Sequence, residues 1–240
     1  MYDNQKTSHV AALSLAGASN RSEPTNKCIS DDRFRRLMGE AAWARLPHSI
    51  RCRFGKRLSS GASVAYQGEV TDMKMNRAGR LLAFLARAIG APLPYDSSSV
   101  GRAAVVVVTE DAATNGQFWI RQYGKEKGFP QTVCSSKRFA GPTGLEEYIG
   151  YGIGMALRLE ATPHALWFIS AGYFINIGRL RLALPRLFSP GELVVGHEEL
   201  GEGKFRFSLD LRHPFFGTMI SQSARFRDAD IVRGSHERLH

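Results

Sequence analysis

The residues from Ala104 to Arg227 alternate between short segments typical of β-strands and tight turns. No segment in this region has helical periodicity long enough to connect two parallel strands, so neighbouring strands are predicted to run antiparallel. Such a sheet must protect its edges, most simply by closing into a barrel or by pairing two sheets. We therefore predict a mainly β (α+β) fold, an antiparallel meander of roughly ten strands closed as a barrel or sandwich, with two helices near the N-terminus.

Individual turns and strands support this prediction. Asn115-Gly116 is a hairpin signal because both residues tolerate the left-handed backbone that a two-residue turn requires. Val105–Val108 is an unbroken apolar run, as expected of a strand covered on both faces. The segment Phe205–Leu211 alternates apolar and polar residues, which predicts a strand with one buried face.

The region before Ala104 contains the predicted helices. Apolar residues recur at helical spacing from Phe34 to Ala42 and again from Arg77 to Ile89, whereas Ile50–Phe54 is interpreted as an edge strand. Residues 1–30 are polar and are predicted to form a disordered tail. The remaining divisions are a single β-rich domain over residues 31–228 and a polar tail over residues 229–240.

Charge and composition exclude several functional classes. The formal net charge is +10, but the basic residues are spread along the chain, which bears on solubility rather than on specific recognition. We predict no sequence-specific nucleic-acid partner, since no zinc finger or RNA-binding aromatic motif occurs. No G-x-G-x-x-G, H-E-x-x-H or paired-cysteine spacing is present, so no cofactor and no metal are predicted.

The location follows from cysteine usage and hydropathy. Three cysteines, an odd number without paired spacing, favour a reduced and therefore cytoplasmic protein. The longest apolar run, Ala165–Ile177, is shorter than the roughly 20 residues of a membrane-spanning helix.

Five sequence landmarks resemble a bacterial family described only as a domain of unknown function and numbered 4166. The landmarks are Phe34–Gly39, Trp119-x-Arg121-x-Tyr123, Gly128-Phe129-Pro130, Glu198–Phe207 and Pro214-x-x-Gly217. The resemblance covers Phe34 to Arg227 and implies a stand-alone module, because family members also occur behind dehydrogenase-like Rossmann domains that this chain lacks. It implies no particular activity.

The strand from Gln117 to Tyr123 carries the most distinctive side chains. Trp119, Arg121 and Tyr123 share one face, and an inward face of this kind suits an amphipathic ligand with an anionic head. Alternatively, the face points outward with a cation–π stack, or a buried Arg121 pairs with a carboxylate. The carboxylates considered are Glu146, Glu147 and Glu160.

Two other residues complete the candidate ligand-binding set, namely Tyr173 and Glu198. Glu198 belongs to His197-Glu198-Glu199, where neighbouring side chains point to opposite faces of the strand, so a structural role is favoured over a metal site. No residue is assigned a catalytic role.

The segment from Leu180 to Phe188 combines apolar side chains with arginines. If Leu180, Leu187 and Phe188 are exposed at a barrel rim, they fit a peripheral contact with a membrane or another protein. An ordinary strand running into a capping loop is the alternative.

Three hypotheses of function follow. The first is a protein that binds a small amphipathic or lipid-like ligand inside the barrel. The second is an enzyme acting on a small apolar substrate, which requires Arg121, Tyr173 or Glu198 to converge in one pocket. The third is a module that binds a protein or a membrane surface.

Overall fold

The computed structural model describes residues 28–59, 62–90 and 92–228, and its main feature is a closed antiparallel barrel of ten strands. The mainly β prediction is therefore confirmed, and the sheet closes as a barrel. The strands are β1 (Cys28–Ser30), β2 (Lys56–Leu58), β3 (Ser63–Met75), β4 (Ala103–Asp111), β5 (Gly116–Tyr123), β6 (Gln131–Arg138), β7 (Glu146–Gly150), β8 (Ile153–Ala161), β9 (Ala165–Ile177), β10 (Leu180–Ala183), β11 (Glu192–Gly201), β12 (Lys204–His213) and β13 (Gly217–Asp228). The α-helices are α1 (Arg33–Met38), α2 (Glu40–Arg45), α3 (His48–Phe54) and α4 (Arg77–Ala86).

Most strands of the barrel pair with their neighbours in sequence. The order around the barrel is β9-β11-β12-β13-β3-β4-β5-β6-β7-β8, and β8 pairs with β9 to close the ring. Two pairings connect distant parts of the chain: β13 lies against β3, with Phe226 opposite Gly68, and β11 lies against β9. Strand β10 extends β9 as an outer hairpin, while β1 and β2 form a separate two-stranded ribbon.

An antiparallel meander places alternate connections at opposite ends of the barrel. The end where β4 turns into β5 and β8 turns into β9 is covered by the N-terminal helices, and we call it the α3 end. The opposite end carries the β3–β4 connection, which contains α4, together with the turns after β5, β7, β9 and β12; we call it the α4 end.

The N-terminal helices differ from the sequence prediction in two respects. The helix expected around Phe34–Ala42 is divided into α1 and α2 at Gly39, whose φ of 81° interrupts helical geometry. The edge strand predicted at Ile50–Phe54 is wrong, since these residues belong to α3. Ile50 and Phe54 are four residues apart, share one helical face and are both buried, which explains the helix.

Phe54 closes the α3 end of the barrel. Its ring stacks 6.2 Å from that of Trp119 on β5 and lies 5.6 Å from Phe168 on β9 and 5.1 Å from His197 on β11. These strands surround the barrel opening, so one side chain at the end of α3 contacts several parts of its wall. Phe34 extends the contact, with ring centroids 5.3 Å from Phe54.

Helix α4 packs at the other end, against β13 and β3. A Cβ at Gly79 would overlap the carbonyl oxygen of Met219, so only glycine permits this close approach of α4 to β13. The following segment reaches β6, three strands from β3 in the ring, where Gln131 donates a hydrogen bond of 2.8 Å to the carbonyl of Leu93 and accepts one of 3.1 Å from the amide of Tyr95.

Strand β1 extends regular structure into the segment predicted as an N-terminal tail, through Cys28–Ser30. Residues 1–27 and the predicted tail at 229–240 lie outside the described residues, and the division into one domain and two tails stays a prediction. Among the described helices, none combines the length and apolar character needed to cross a membrane.

Candidate functional site

The inward face of β5 carries the residues singled out from the sequence. Trp119, Arg121 and Tyr123 are all buried, and the register places Trp119 opposite Ser135 and Arg121 opposite Val133 on β6. Paired residues of antiparallel strands point to the same side of the sheet, so these side chains share the barrel interior. The structure thus brings three of the five predicted site residues together.

Arg121 is held by an internal carboxylate. Its Nη2 donates to Oε1 of Glu147 at 3.3 Å and its Nη1 donates to the hydroxyl of Ser135 at 3.1 Å. Ser135 in turn donates a hydrogen bond of 2.5 Å to the same carboxylate oxygen. Glu147 is one of the three carboxylates proposed from the sequence as partners of a buried Arg121, and the structure selects it.

A second cation shares the same carboxylate. The Nζ of Lys137 lies 2.9 Å from Oε2 of Glu147, and the lysine side chain is almost completely buried. The ammonium also lies 5.0 Å from the ring centroid of Trp119 and 5.2 Å from that of Phe168, within the range of cation–π attraction. Aromatic faces therefore surround the cluster of Arg121, Lys137, Ser135 and Glu147, which we call the interior ion cluster.

Burial and charge act in opposite directions in this cluster. Burial alone raises the pKa of Glu147, but the charges of Lys137 and Arg121 outweigh it and lower that pKa to about 2. Burial lowers the pKa of Lys137 to about 8 despite the opposing effect of Glu147. Near neutral pH the cluster therefore holds two cations and one anion, and the barrel interior carries a net positive charge.

The two remaining predicted residues lie on other strands, one inside the barrel and one outside. Tyr173 faces inward opposite Met155, and burial raises the pKa of its hydroxyl to about 12. Glu198 lies on the outer face of β11, where its Oε2 is 3.4 Å from Arg206. Since Arg121 and Glu198 lie on opposite sides of the barrel wall, the convergence that the enzyme hypothesis requires does not occur between them.

A small cavity lies beside Trp119 at the α3 end. Its volume is about 20 Å³, it is partly open, and it combines apolar walls with two cationic side chains. The residues that line it are Arg53, Phe54, Lys56, Leu58, Val64, Tyr66, Val108, Gln117, Trp119 and His197.

Nε1 of Trp119 and Nδ1 of His197, two atoms of residues on this lining, are buried without a hydrogen-bonding partner among the described residues. The Nε2 of His197 faces Nη1 of Arg53 at 3.5 Å. Because a guanidinium offers only N–H donors, the lone pair of Nε2 faces Arg53 and the proton of the neutral ring lies on Nδ1. Trp119 and His197 thus each provide a buried donor that lacks an acceptor.

His197 is neutral over a wide pH range. Burial lowers its pKa to about 3, and the charge of Arg53 acts in the same direction. Its ring stacks on Phe205 with centroids 4.3 Å apart, so a protonated ring would place a cation between aromatic side chains and a guanidinium.

This environment predicts that the fold loses stability as the pH falls. At pH values between the ordinary histidine pKa of 6.5 and the pKa of about 3 in the folded protein, His197 is protonated in the unfolded chain but neutral in the folded chain. The free energy of unfolding should therefore decrease by about 2 kcal/mol between about pH 7.5 and pH 5. Denaturant titrations of the wild type and of His197→Gln measure this difference.

The matched control is His164→Gln, in a turn where the side chain is exposed. It should retain the wild-type pH dependence, whereas His197→Gln should flatten it. An unchanged slope in His197→Gln would contradict the assignment.

Lys137 and Phe54 were not identified from the sequence. The alternation of side chains along β6 could have identified Lys137, because Val133, Ser135 and Lys137 occupy alternate positions of this strand and share a face. Phe54 was missed because α3 was interpreted as a strand.

Together, these observations define a closed antiparallel barrel with a positively charged interior and a donor-lined cavity at one end. The family model described as "Domain of unknown function (DUF4166)" matches residues 46–226, and the chain belongs to this family. No curated protein and no solved structure matches it.

Proposed function

We propose that this protein binds a small amphipathic carboxylate at the α3 end of the barrel. The observation that supports the proposal best is the pair of unpartnered donors, Trp119 Nε1 and His197 Nδ1, on the lining of one cavity. A buried N–H without an acceptor is costly, and a carboxylate supplies acceptors for both.

The charges and apolar walls of the cavity agree with such a ligand. Lys56 adds a cation to the lining, and the interior ion cluster contributes a net positive charge directly behind Trp119. Phe54, Leu58 and Val64 provide an apolar surface for the rest of the molecule. The inward side chains of the barrel pack against one another, so the head group enters the cavity while the apolar part lies at the barrel end.

The location proposed for this activity is the cytoplasm. Cys52 and Cys134 are free thiols on the surface, as in proteins of a reducing compartment.

Binding of decanoate and of decanol, followed by calorimetry, tests the proposal. Decanoate should bind and decanol should bind at least about ten-fold more weakly, because only the carboxylate satisfies both donors and the nearby cations. Lys56→Gln and Trp119→Phe should each weaken decanoate binding by about five-fold to ten-fold, since each removes one favourable partner.

Lys74→Gln is the matched control, because Lys74 is an exposed lysine on the outer wall of the barrel. Mass spectrometry of an extract from the purified protein gives an independent measurement of what the barrel carries. Equal binding of the acid and the alcohol, or binding of neither, would overturn the proposal.

A further inference from the structure

The exposed large apolar residues of this barrel lie mostly at one end. Of the sixteen in the described residues, thirteen belong to connections of the α4 end or to the strand residues beside them. They are Leu81, Phe84, Leu85, Val100, Phe129, Tyr151, Ile177, Leu180, Leu182, Leu187, Phe188, Phe215 and Phe216. The other three are Leu37, Phe118 and Leu200.

Each connection at the α4 end contains such a residue or lies directly beside one. Phe129 in the turn after β5 is 91% exposed, Tyr151 in the turn after β7 is 77% exposed, and Phe215 in the turn after β12 is 78% exposed. Leu187 and Phe188 occupy the connection from β10 to β11. The rim predicted at Leu180, Leu187 and Phe188 is thus one part of a larger ring of exposed apolar side chains.

Helix α4 contributes the broadest apolar face. Gly79, Ala83 and Ala86 are buried, whereas Leu81, Phe84 and Leu85 are each about 60% exposed on the opposite side. No acidic residue occurs in the helix, and Arg77 and Arg80 are exposed near its N-terminus. This is an amphipathic helix whose exposed face combines large apolar side chains with arginines.

The charge of the same connections is strongly positive. Their eight cations outnumber their two acids, Asp96 and Glu126, by six. The eight cations are Arg77, Arg80, Arg87, Arg102, Lys125, Lys127, Arg179 and Arg186. None of them forms an ion pair with a described residue.

The α3 end lacks this combination. Its inter-strand connections contain one charged residue, Glu202, and four of the six arginines of helices α1 to α3 form ion pairs. Arg33 pairs with Asp31, Arg35 with Glu40, Arg36 with Asp32 and Arg53 with Glu199. Basic charge and exposed apolar side chains therefore coincide at the α4 end.

We propose that the α4 end docks on an anionic membrane surface, independently of ligand binding at the α3 end. Aromatic and aliphatic tips that insert among lipid head groups, surrounded by unpaired arginines and lysines, suit such a surface. The basic residues complement the negative charge of the lipids, and each adds to the attraction.

The distribution favours a membrane over other macromolecules. A protein partner requires a shaped complementary face, whereas here the exposed apolar residues are divided among helix α4 and several separate turns. A nucleic acid offers no favourable environment for exposed phenylalanine and leucine side chains between the phosphates.

Flotation of the purified protein with lipid vesicles tests the proposal. Vesicles with about 30% phosphatidylglycerol in phosphatidylcholine should capture the protein at low ionic strength, and pure phosphatidylcholine should capture it at least about ten-fold less. Raising the salt to about 0.5 M should release most of it. Two variants separate the apolar and the electrostatic contributions to membrane binding. Phe84→Ser/Phe129→Ser/Phe215→Ser removes three exposed aromatic side chains, and Arg77→Glu/Arg80→Glu reverses two charges.

Both variants should lower binding more than about ten-fold. The matched controls at the α3 end are Leu200→Ser for the tips and Arg45→Glu/Arg227→Glu for the charges, because these side chains are also exposed. Circular dichroism verifies that each variant is folded. Failure of the folded wild type to float with anionic vesicles would overturn the proposal, as would equal capture by neutral vesicles or equal losses in the controls. Salt-sensitive retention on DNA without vesicle binding would overturn it in favour of nucleic acid.

Discussion

Replacing Glu147 with glutamine should lower the free energy of unfolding by about 3–5 kcal/mol, because it leaves Arg121 and Lys137 in the barrel interior without a counter-charge. Glutamine has nearly the shape of glutamate, so the loss reflects charge rather than packing. Urea titration at neutral pH, with the protein free of ligand, measures the effect.

Two further variants make this result specific. Glu160→Gln, on the neighbouring strand but exposed beside Arg158, should cost less than about 0.5 kcal/mol. Glu147→Gln/Lys137→Met should recover a substantial part of the loss, because the second change removes the unpaired ammonium. A Glu147→Gln variant as stable as the wild type would show that the interior ion cluster does not hold the barrel together.

Phe54→Ala should be comparably destabilising, at about 3–5 kcal/mol. The side chain is 4% exposed and contacts rings from β5, β9 and β11, so its loss leaves a cavity at the α3 end that these strands cannot all fill. Thermal and denaturant unfolding measure the change. The substitution should also expose Trp119 to solvent and shift its fluorescence to longer wavelength.

The control for this prediction is Phe118→Ala. Phe118 lies on the outer face of β5, next in sequence to Trp119, and is 40% exposed, so its removal should cost about 1 kcal/mol. If both substitutions cost the same, α3 would not be an integral part of the barrel core.

The strands were predictable because their side chains alternate. From Phe205 to Leu211 the period of two marks the buried face directly. A hairpin joins β4 and β5 as predicted, and Asn115 has a φ of 56°, but the loop has four residues, 112–115, and Gly116 already belongs to β5. The strand predicted at Ile50–Phe54 is wrong because Ile50, Cys52 and Phe54 alternate with charged or polar residues as they would in a strand. A segment of five residues is too short to distinguish the period of a strand from that of a helix. Only the tertiary contacts of Phe54 select the helix.

The candidate site was only partly predictable for a different reason. Period two placed Trp119, Arg121 and Tyr123 on one face, but the partner of Arg121 depends on the register between strands. Glu146 and Glu147 are adjacent and point to opposite sides of β7. A shift of one residue in the pairing of β7 with β6 would therefore exchange which of them lies inside the barrel. The cavity beside His197 is partly lined by residues at the end of α3, so it could not be predicted while that segment was interpreted as a strand.

The pairing of β13 with β3 sets the order of events when this chain is made. Gly217–Asp228 lies about 150 residues beyond its partner strand, so the ring cannot close before β13 has been synthesised. Until then, β3 and β12 each present an unpaired edge to the solvent. Any truncation that removes β13 would leave the edges of β3 and β12 permanently unpaired. We expect such products to aggregate rather than to accumulate as open barrels.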